Sequence, residues 1–364
     1  MISIIITFYT GINILNSNLH LLQETVELDA EIIIVNDNPS HILNKEELSV
    51  TSPIPLKIIN LPQNKGYAAA CNIGAMEANG EFLLFLDCDI LVDGNWLQMM
   101  VSAYHSQQNC GAVSATILDL QRGNVVHWGL GISNGFEVIK PYRDGIMPEC
   151  ISSGVYSFKL LTSGCILIPK KIFFKVNGFD EVLYNGYCDL DLTFKIHTAG
   201  YGCFACSDAI VYHRGKVSGY NRLYAEEDTR ALFISKWKGT LPSDGYDLLS
   251  KLYNNNIDFM PSSDYMLINF SRSLFAHEYH NALKRSLSTE VTTYYELRDV
   301  SRIPIILEDY LSWSICGKNS PIIYFADNIT SIENNYHWFS YRKMKGDLVA
   351  DRNGNLYLSD SLLI

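Results

Sequence analysis

Short apolar runs separated by stretches of helical character dominate the first quarter of the chain: Ile2 to Phe8, Glu31 to Val35, Leu56 to Ile59 and Glu81 to Leu86. Runs this short, apolar throughout rather than alternating, belong to strands buried on both faces. Between the last two, Gly66 to Ala78 is rich in alanine and follows Asn64 and Lys65. That predicts a helix that starts from a loop and packs closely through Gly74. The expectation is an α/β fold, a mostly parallel sheet flanked by helices on both faces. Ligands of such sheets bind beyond the carboxyl ends of the strands. The residues there are Thr7, Phe8 and Tyr9, then Asn36 to Asn38, then Asp87, Cys88 and Asp89.

Composition narrows the class. With 364 residues, 48% of them apolar and 18% charged, the chain has material for two domains and is not disordered. The net charge is -11, and the first hundred residues hold 12 acidic against 3 basic side chains, which excludes an electrostatic grip on nucleic acid there. No run of about 18 apolar residues occurs, and MISIIITFY lacks the basic stretch of a secretory signal. Cytoplasmic residence is expected, with any membrane contact peripheral and made through an acceptor. Nine cysteines, an odd number scattered from Cys71 to Cys316, fit reduced thiols, and the Cys203/Cys206 pair has no second pair at zinc-site spacing.

The string LPSDGYD from Leu241 breaks both periodic structures and separates a domain at 1–240 from a region at 241–364. In the latter, Ser263 to Ser286 reads as helical, Ile305 to Ile315 is largely apolar and Arg352 to Leu363 reads as a β hairpin, so a smaller, mainly helical region is expected. Its many aromatics suit either an acceptor-side wall or the interface of a homo-oligomer.

The chemistry concentrates in LDCD. Asp87 and Asp89, one residue apart at the exit of EFLLF, share a face of the strand. Two convergent carboxylates repel unless a divalent cation accompanies them, and oxygen ligands favour magnesium or manganese. A strand-ending turn is the alternative.

The whole string NKGYAAACNIGAMEANGEFLLFLDCDILVDGNWL, followed by CGAVSATILD, TSGCILIPKKIFFKVNGFDE, YCDLDL, VYHRG and FISKW, resembles glycosyltransferase family 2, especially its rhamnosyltransferase-like members. The matched blocks run in the family's order over residues 1 to about 240. The resemblance implies a GT-A fold and an inverting, metal-dependent transfer of a hexosyl or deoxyhexosyl group from a UDP or dTDP sugar. The acceptor it implies is a hydroxyl of a glycan or lipid-linked glycan, as in polysaccharide synthesis. It implies Mn2+ or Mg2+ at Asp87, Asp89 and His213, and a base-reading role for Asp37, otherwise a turn residue of NDNP. Thr7, Phe8, Tyr9, Asn64, Lys65, Gly66, Asn72 and Cys88 complete the implied donor side; Ser163, Gly164 and Glu181 lie on the acceptor side.

An inverting displacement needs a general base near the acceptor hydroxyl, and the candidates are Asp189 and Asp191. In a helix from Asp189, residues two apart diverge by about 200°, so only one of them faces the acceptor. Asp189 matches the family's usual base. Two positions depart from the family pattern. Cys188 stands where a Glu is usual, which allows a catalytically silent nucleotide-sugar-binding module as the alternative. Cys71 stands where an Arg is common, leaving Lys65 or Arg214 for the phosphates.

Overall fold

The computed structural model describes residues 1–49, 54–132, 138–139, 148, 151–214, 221–241 and 244, and five strands between 265 and 358. The chain divides into one unit of Met1–Gly131 with Gly145–Pro242, and a second of Ile132–Asp144 with Ser243–Ile364.

In chain order the elements up to residue 237 are β1 (Ile2–Phe8), α1 (Ile12–Thr25), β2 (Ala30–Asn36), β3 (Leu56–Asn60), α2 (Tyr67–Met76), β4 (Phe82–Asp87), β5 (Ile90–Val92), α3 (Trp96–Ser106), β6 (Cys110–Asp119), β7 (Val125–His127), β8 (Gly131–Ile132), β9 (Val138–Ile139), β10 (Val155–Phe158), β11 (Cys165–Pro169), α4 (Lys170–Lys175), α5 (Cys188–Thr198), β12 (Gly202–His213) and α6 (Asn221–Trp237). The main sheet runs β10-β12-β6-β11-β4-β1-β2-β3, with β5 beside β12 and β7 beside β6. Strands β3, β2, β1 and β4 are parallel, as the apolar runs led one to expect. The far half is mixed, because β11 lies antiparallel between β4 and β6.

Strand parity explains the two buried faces. Ile4, Ile6, Ile32, Ile34, Leu84 and Leu86 point to the side where Leu15, Leu19 and Leu22 of α1 and Trp96, Leu97 and Met100 of α3 are buried. Each such fully buried side chain contributes about 1.5–3 kcal/mol. On the other face α2 packs closely at Gly74, where a Cβ would stand 2.5 Å from Ile5 Cγ2.

Register then aims the site. Thr7 is level with Asp87 across β1 and β4, and Cys165 pairs with Leu86, so residues 162–164 arrive beside the exit of β4. His213 pairs with Ile90 of β5, which sets it next to Asp89.

In the second unit, β13 (Tyr265–Asn269), β14 (Val291–Glu296), β15 (Ile322–Ala326), β16 (Leu348–Asp351) and β17 (Leu356–Leu358) form one sheet ordered β14-β13-β15-β16-β17. All its pairings are parallel except that of β16 with β17. Within Ser263 to Ser286, which the sequence reads as helical, Tyr265–Asn269 is a strand, and the rest of that segment lies outside the described residues. YMLIN is too short an apolar run to show a helical or a strand period, so its neighbours decided the reading. The stretch Ile305 to Ile315 lies outside the described residues. The terminal hairpin is present as β16 and β17, beginning four residues earlier than expected.

Candidate active site

The acidic strand exit is assembled by β4, β5 and the end of β12. Asp89 is buried, and its Oδ2 lies 3.2 Å from His213 Nε2. The Arg214 amide donates to the Asp89 carbonyl at 3.0 Å, fixing the two segments side by side. Asp87 sits across from Gly164: its amide donates to the Gly164 carbonyl at 3.0 Å, and its Oδ2 is 3.6 Å from where a Cβ on Gly164 would stand. Fully buried Asn18 holds the intervening turn by donating to the carbonyls of Asp87 and Cys88. Burial and the flanking Asp89 and Asp87 push the Cys88 thiol up to about 12, so it stays neutral. Among the described residues no three His, Cys, Asp or Glu side chains form a ready cage for a metal. The pair Asp89 and His213 offers one carboxylate and one imidazole, a donor set that manganese or magnesium accepts when further oxygen ligands come from elsewhere.

Residues 162–164 also meet Asp189, in the first turn of α5. Its Oδ1 accepts from the Leu190 amide at 2.9 Å and its Oδ2 from the Ser163 amide at 3.3 Å. Burial raises the Asp189 carboxyl above its ordinary range, partly offset by these bonds and by the Thr162 hydroxyl. Asp191 points elsewhere, as the helical angle demands. It is fully buried and is held by Lys236 Nζ at 2.7 Å, Trp237 Nε1 at 2.8 Å and Lys195 Nζ at 3.2 Å. Lys236 also pairs with Asp180, so the end of α6 locks α5 to the GFDE loop. Neither Lys236 nor Trp237 was singled out from the sequence, although both stand in FISKW.

The exit of β2 is organised around Asp37. Its Oδ1 accepts from the Lys65 amide at 2.6 Å and its Oδ2 from the Gly66 amide at 2.8 Å. Burial raises its pKa against the opposing pull of those two bonds. Next along, the Tyr67 amide donates to Asn185 Oδ1 at 2.8 Å and the Ala68 amide to the Tyr184 carbonyl at 3.1 Å. The first amides of α2 are therefore taken by the protein itself, and this helix start is not an anion cradle. Gly66 has φ +83°, and the Tyr184 ring lies where its side chain would be, so only glycine fits. The Tyr184 hydroxyl donates to Asn64 Oδ1. Replacing Asp37 by alanine should cost about 1.5–3 kcal/mol, since it strands two amides bonded to a charged group. Urea unfolding of the unliganded protein checks this, and an unchanged midpoint would refute the clamp.

Three other expected donor or acceptor contacts are placed differently. Phe8 is buried in the core, edge-on to His41, and only its carbonyl reaches the strand end, where it accepts from the Asp37 amide. Asn72 exchanges bonds with the backbone of Phe179 and donates to Glu181 Oε1 at 2.9 Å, which makes Asn72 and Glu181 one loop tether. Thr7 is half-buried, and Tyr9, 52% exposed, stays open to a ligand. The seven described cysteines are all free thiols. No helix among the described residues is long and apolar enough to cross a membrane.

Known proteins bear on this geometry in three ways. Residues 3–162 match the family model described as Glycosyl transferase family 2. N-acetylgalactosaminyltransferase 6 of Drosophila melanogaster is 26% identical over 212 residues, which cover 55% of this chain and 32% of the fly protein. The O-antigen biosynthesis protein RfbC of Myxococcus xanthus is 28% identical over 161 residues, 42% of this chain and 12% of that protein. The matched part thus spans a third or less of these curated relatives. Among solved structures, GalNAc-T7 with UDP, GalNAc and Mn2+ superposes with a TM-score of 0.53 at 16% identity, covering 80% of this chain and 55% of that one. At that identity the likeness is one of fold. The family match is thus carried by residues 3–162, and the fold that holds them is GT-A.

Proposed function

We propose that this domain transfers a sugar from a nucleoside diphosphate to a hydroxyl of a glycan or lipid-linked glycan, with inversion and with a divalent metal. The observation that carries the reading is that two acidic centres meet at residues 162–164: Asp87, with Asp89 and His213 next to it, bonds the Gly164 carbonyl through its amide, and buried Asp189 accepts from the Ser163 amide. That the neighbouring GalNAc-T7 structure holds UDP and Mn2+ supports a nucleotide-sugar donor and a divalent metal, and that RfbC is named for O-antigen biosynthesis supports a glycan acceptor.

Asp89 and His213 would hold Mn2+ or Mg2+, with Asp87 beside them. When bound, such an ion neutralises charge on the departing diphosphate. Asp189 takes the proton of the acceptor hydroxyl, and its raised pKa makes it a stronger base than an exposed carboxylate. Asp37, with one lone pair of each oxygen spent on Lys65 and Gly66, keeps others for the imide N–H of a uracil or thymine base. Exposed Tyr9 is the aromatic neighbour available to that base. Cys188 supports the alternative of a silent binding module, because burial keeps a neutral thiol next to Asp189 where the family pattern has a second carboxylate.

Assays over a panel of UDP and dTDP sugars decide between the two. Chelation, or Asp89→Ala, should lower transfer or donor hydrolysis about 100-fold, the order expected when several kcal/mol of charge stabilisation is withdrawn. Added Mn2+ or Mg2+ should restore the chelated wild type and not the variant. Full turnover by protein shown to be metal-free would reject metal assistance, and nucleotide binding without turnover of any donor would favour the silent module.

A further inference from the structure

Residues 162–164 touch both acidic centres, and their middle residue has a partner that the functional reading leaves unused. Tyr67 opens α2, and its hydroxyl lies 2.9 Å from Ser163 Oγ. The ring is fixed independently of that bond. It packs edge-on against Phe179, with centroids 5.9 Å apart at 81°, and its own amide is capped by Asn185. Ser163 is 5% exposed, so water cannot replace the phenol as its partner. At 3.3 Å, the bond from the Ser163 amide to Asp189 Oδ2 is long, and a small rotation of Ser163 breaks it.

We propose that Tyr67 is a positioning residue for the transfer reaction: its hydroxyl fixes Ser163, whose amide holds one oxygen of Asp189 toward the acceptor. This rests on the assignment of Asp189 as the base. The phenol acts as a donor and not as a base, because burial and the charge of Asp87 hold its proton well above the usual range. The other groups that face Asp189 do not substitute for it. The Cys188 and Cys71 thiols are kept neutral by burial, and Thr162 bonds the carboxylate directly. A signal for this role exists in the sequence only as an aromatic residue after Asn-Lys-Gly. Its partner is 96 residues away.

Tyr67→Phe tests it, since the ring and the Phe179 contact survive and only the hydroxyl goes. A 13C NMR titration of carboxylates, with the Asp189 signal assigned by Asp189→Asn, reads the base without any donor. Losing a hydrogen bond to the charged form should raise the Asp189 midpoint by about half a unit or more. With Mn2+ and UDP-N-acetylglucosamine or UDP-N-acetylgalactosamine, turnover should fall about tenfold and the acid limb of the rate profile should move up by the same shift. UDP affinity by calorimetry should stay within about twofold of the wild type, as expected for a residue that acts on the acceptor side. An unmoved Asp189 midpoint overturns the proposal, as does a turnover loss matched by an equal loss of UDP affinity. Should the wild type turn over no donor, the functional reading fails, while the titration still decides the role of Tyr67.

Discussion

Asp189→Asn is expected to lower turnover by about 100- to 10,000-fold, the contribution of a positioned general base, with UDP affinity close to that of the wild type. The amide keeps the volume and can still accept from Leu190 and Ser163, so loss of activity reports loss of proton acceptance rather than collapse of α5. A sign for pH follows. Activity requires the ionised form, and burial raises the carboxyl pKa, so the rate should fall as pH drops through a value above the ordinary aspartate range. The acid limb should vanish from the residual rate of the variant. Retention of turnover in Asp189→Asn, with Asp191→Asn inactive though folded, would exchange the two roles.

Asp191→Ala is expected to act on stability instead. A fully buried carboxylate ion-paired with two lysines and hydrogen-bonded to an indole leaves uncompensated donors behind when it is removed, and breaking such a buried pair costs about 3–5 kcal/mol. The lower end applies, because Lys236 retains Asp180 and Lys195 retains the Gly178 carbonyl. At about 2–4 °C per kcal/mol for a unit of this size, the melting point should drop by roughly 6–12 °C. Scanning calorimetry checks it, and a drop under about 2 °C would mean that the network is dispensable. Below its own melting point the variant should keep most of its turnover, which separates an anchor from a base.

The parallel half of the sheet was legible because its strands are continuous apolar runs: Ile2 to Phe8 is β1 to the residue, and the edges of β2, β3 and β4 moved by one residue. The strand-exit acids were legible for the same reason. Parity also contained what was overlooked at Phe8, which alternates with Thr7 and so follows Ile4 and Ile6 into the core. Asn72 stands five residues into α2, about 7.5 Å along its axis from the first residue, too far down to serve the strand ends. Other features had no local signal. Asn185 caps Tyr67 across 118 residues, Asp191 meets Trp237 across 46, and β11 enters the sheet against the direction of its neighbours. Such pairings depend on where distant segments land, which periodicity does not encode.

The entry of β11 between β4 and β6 carries a consequence for synthesis on the ribosome. β4 leaves the tunnel with one edge paired to β1, and the strand that covers its other edge begins at Cys165, not at Cys110. At about 5–20 residues per second, the roughly 80 residues between Asp87 and Cys165 leave that apolar edge open for some 4–16 s. An open, flat, hydrophobic edge templates pairing with other chains. Nascent chains stalled in this interval should therefore engage chaperones or aggregate, whereas chains released after β11 has docked should not. The same delay means that Asp87 meets the Ser163–Asp189 side of the site only when the sheet closes, so nothing short of the closed sheet brings the acidic centres together.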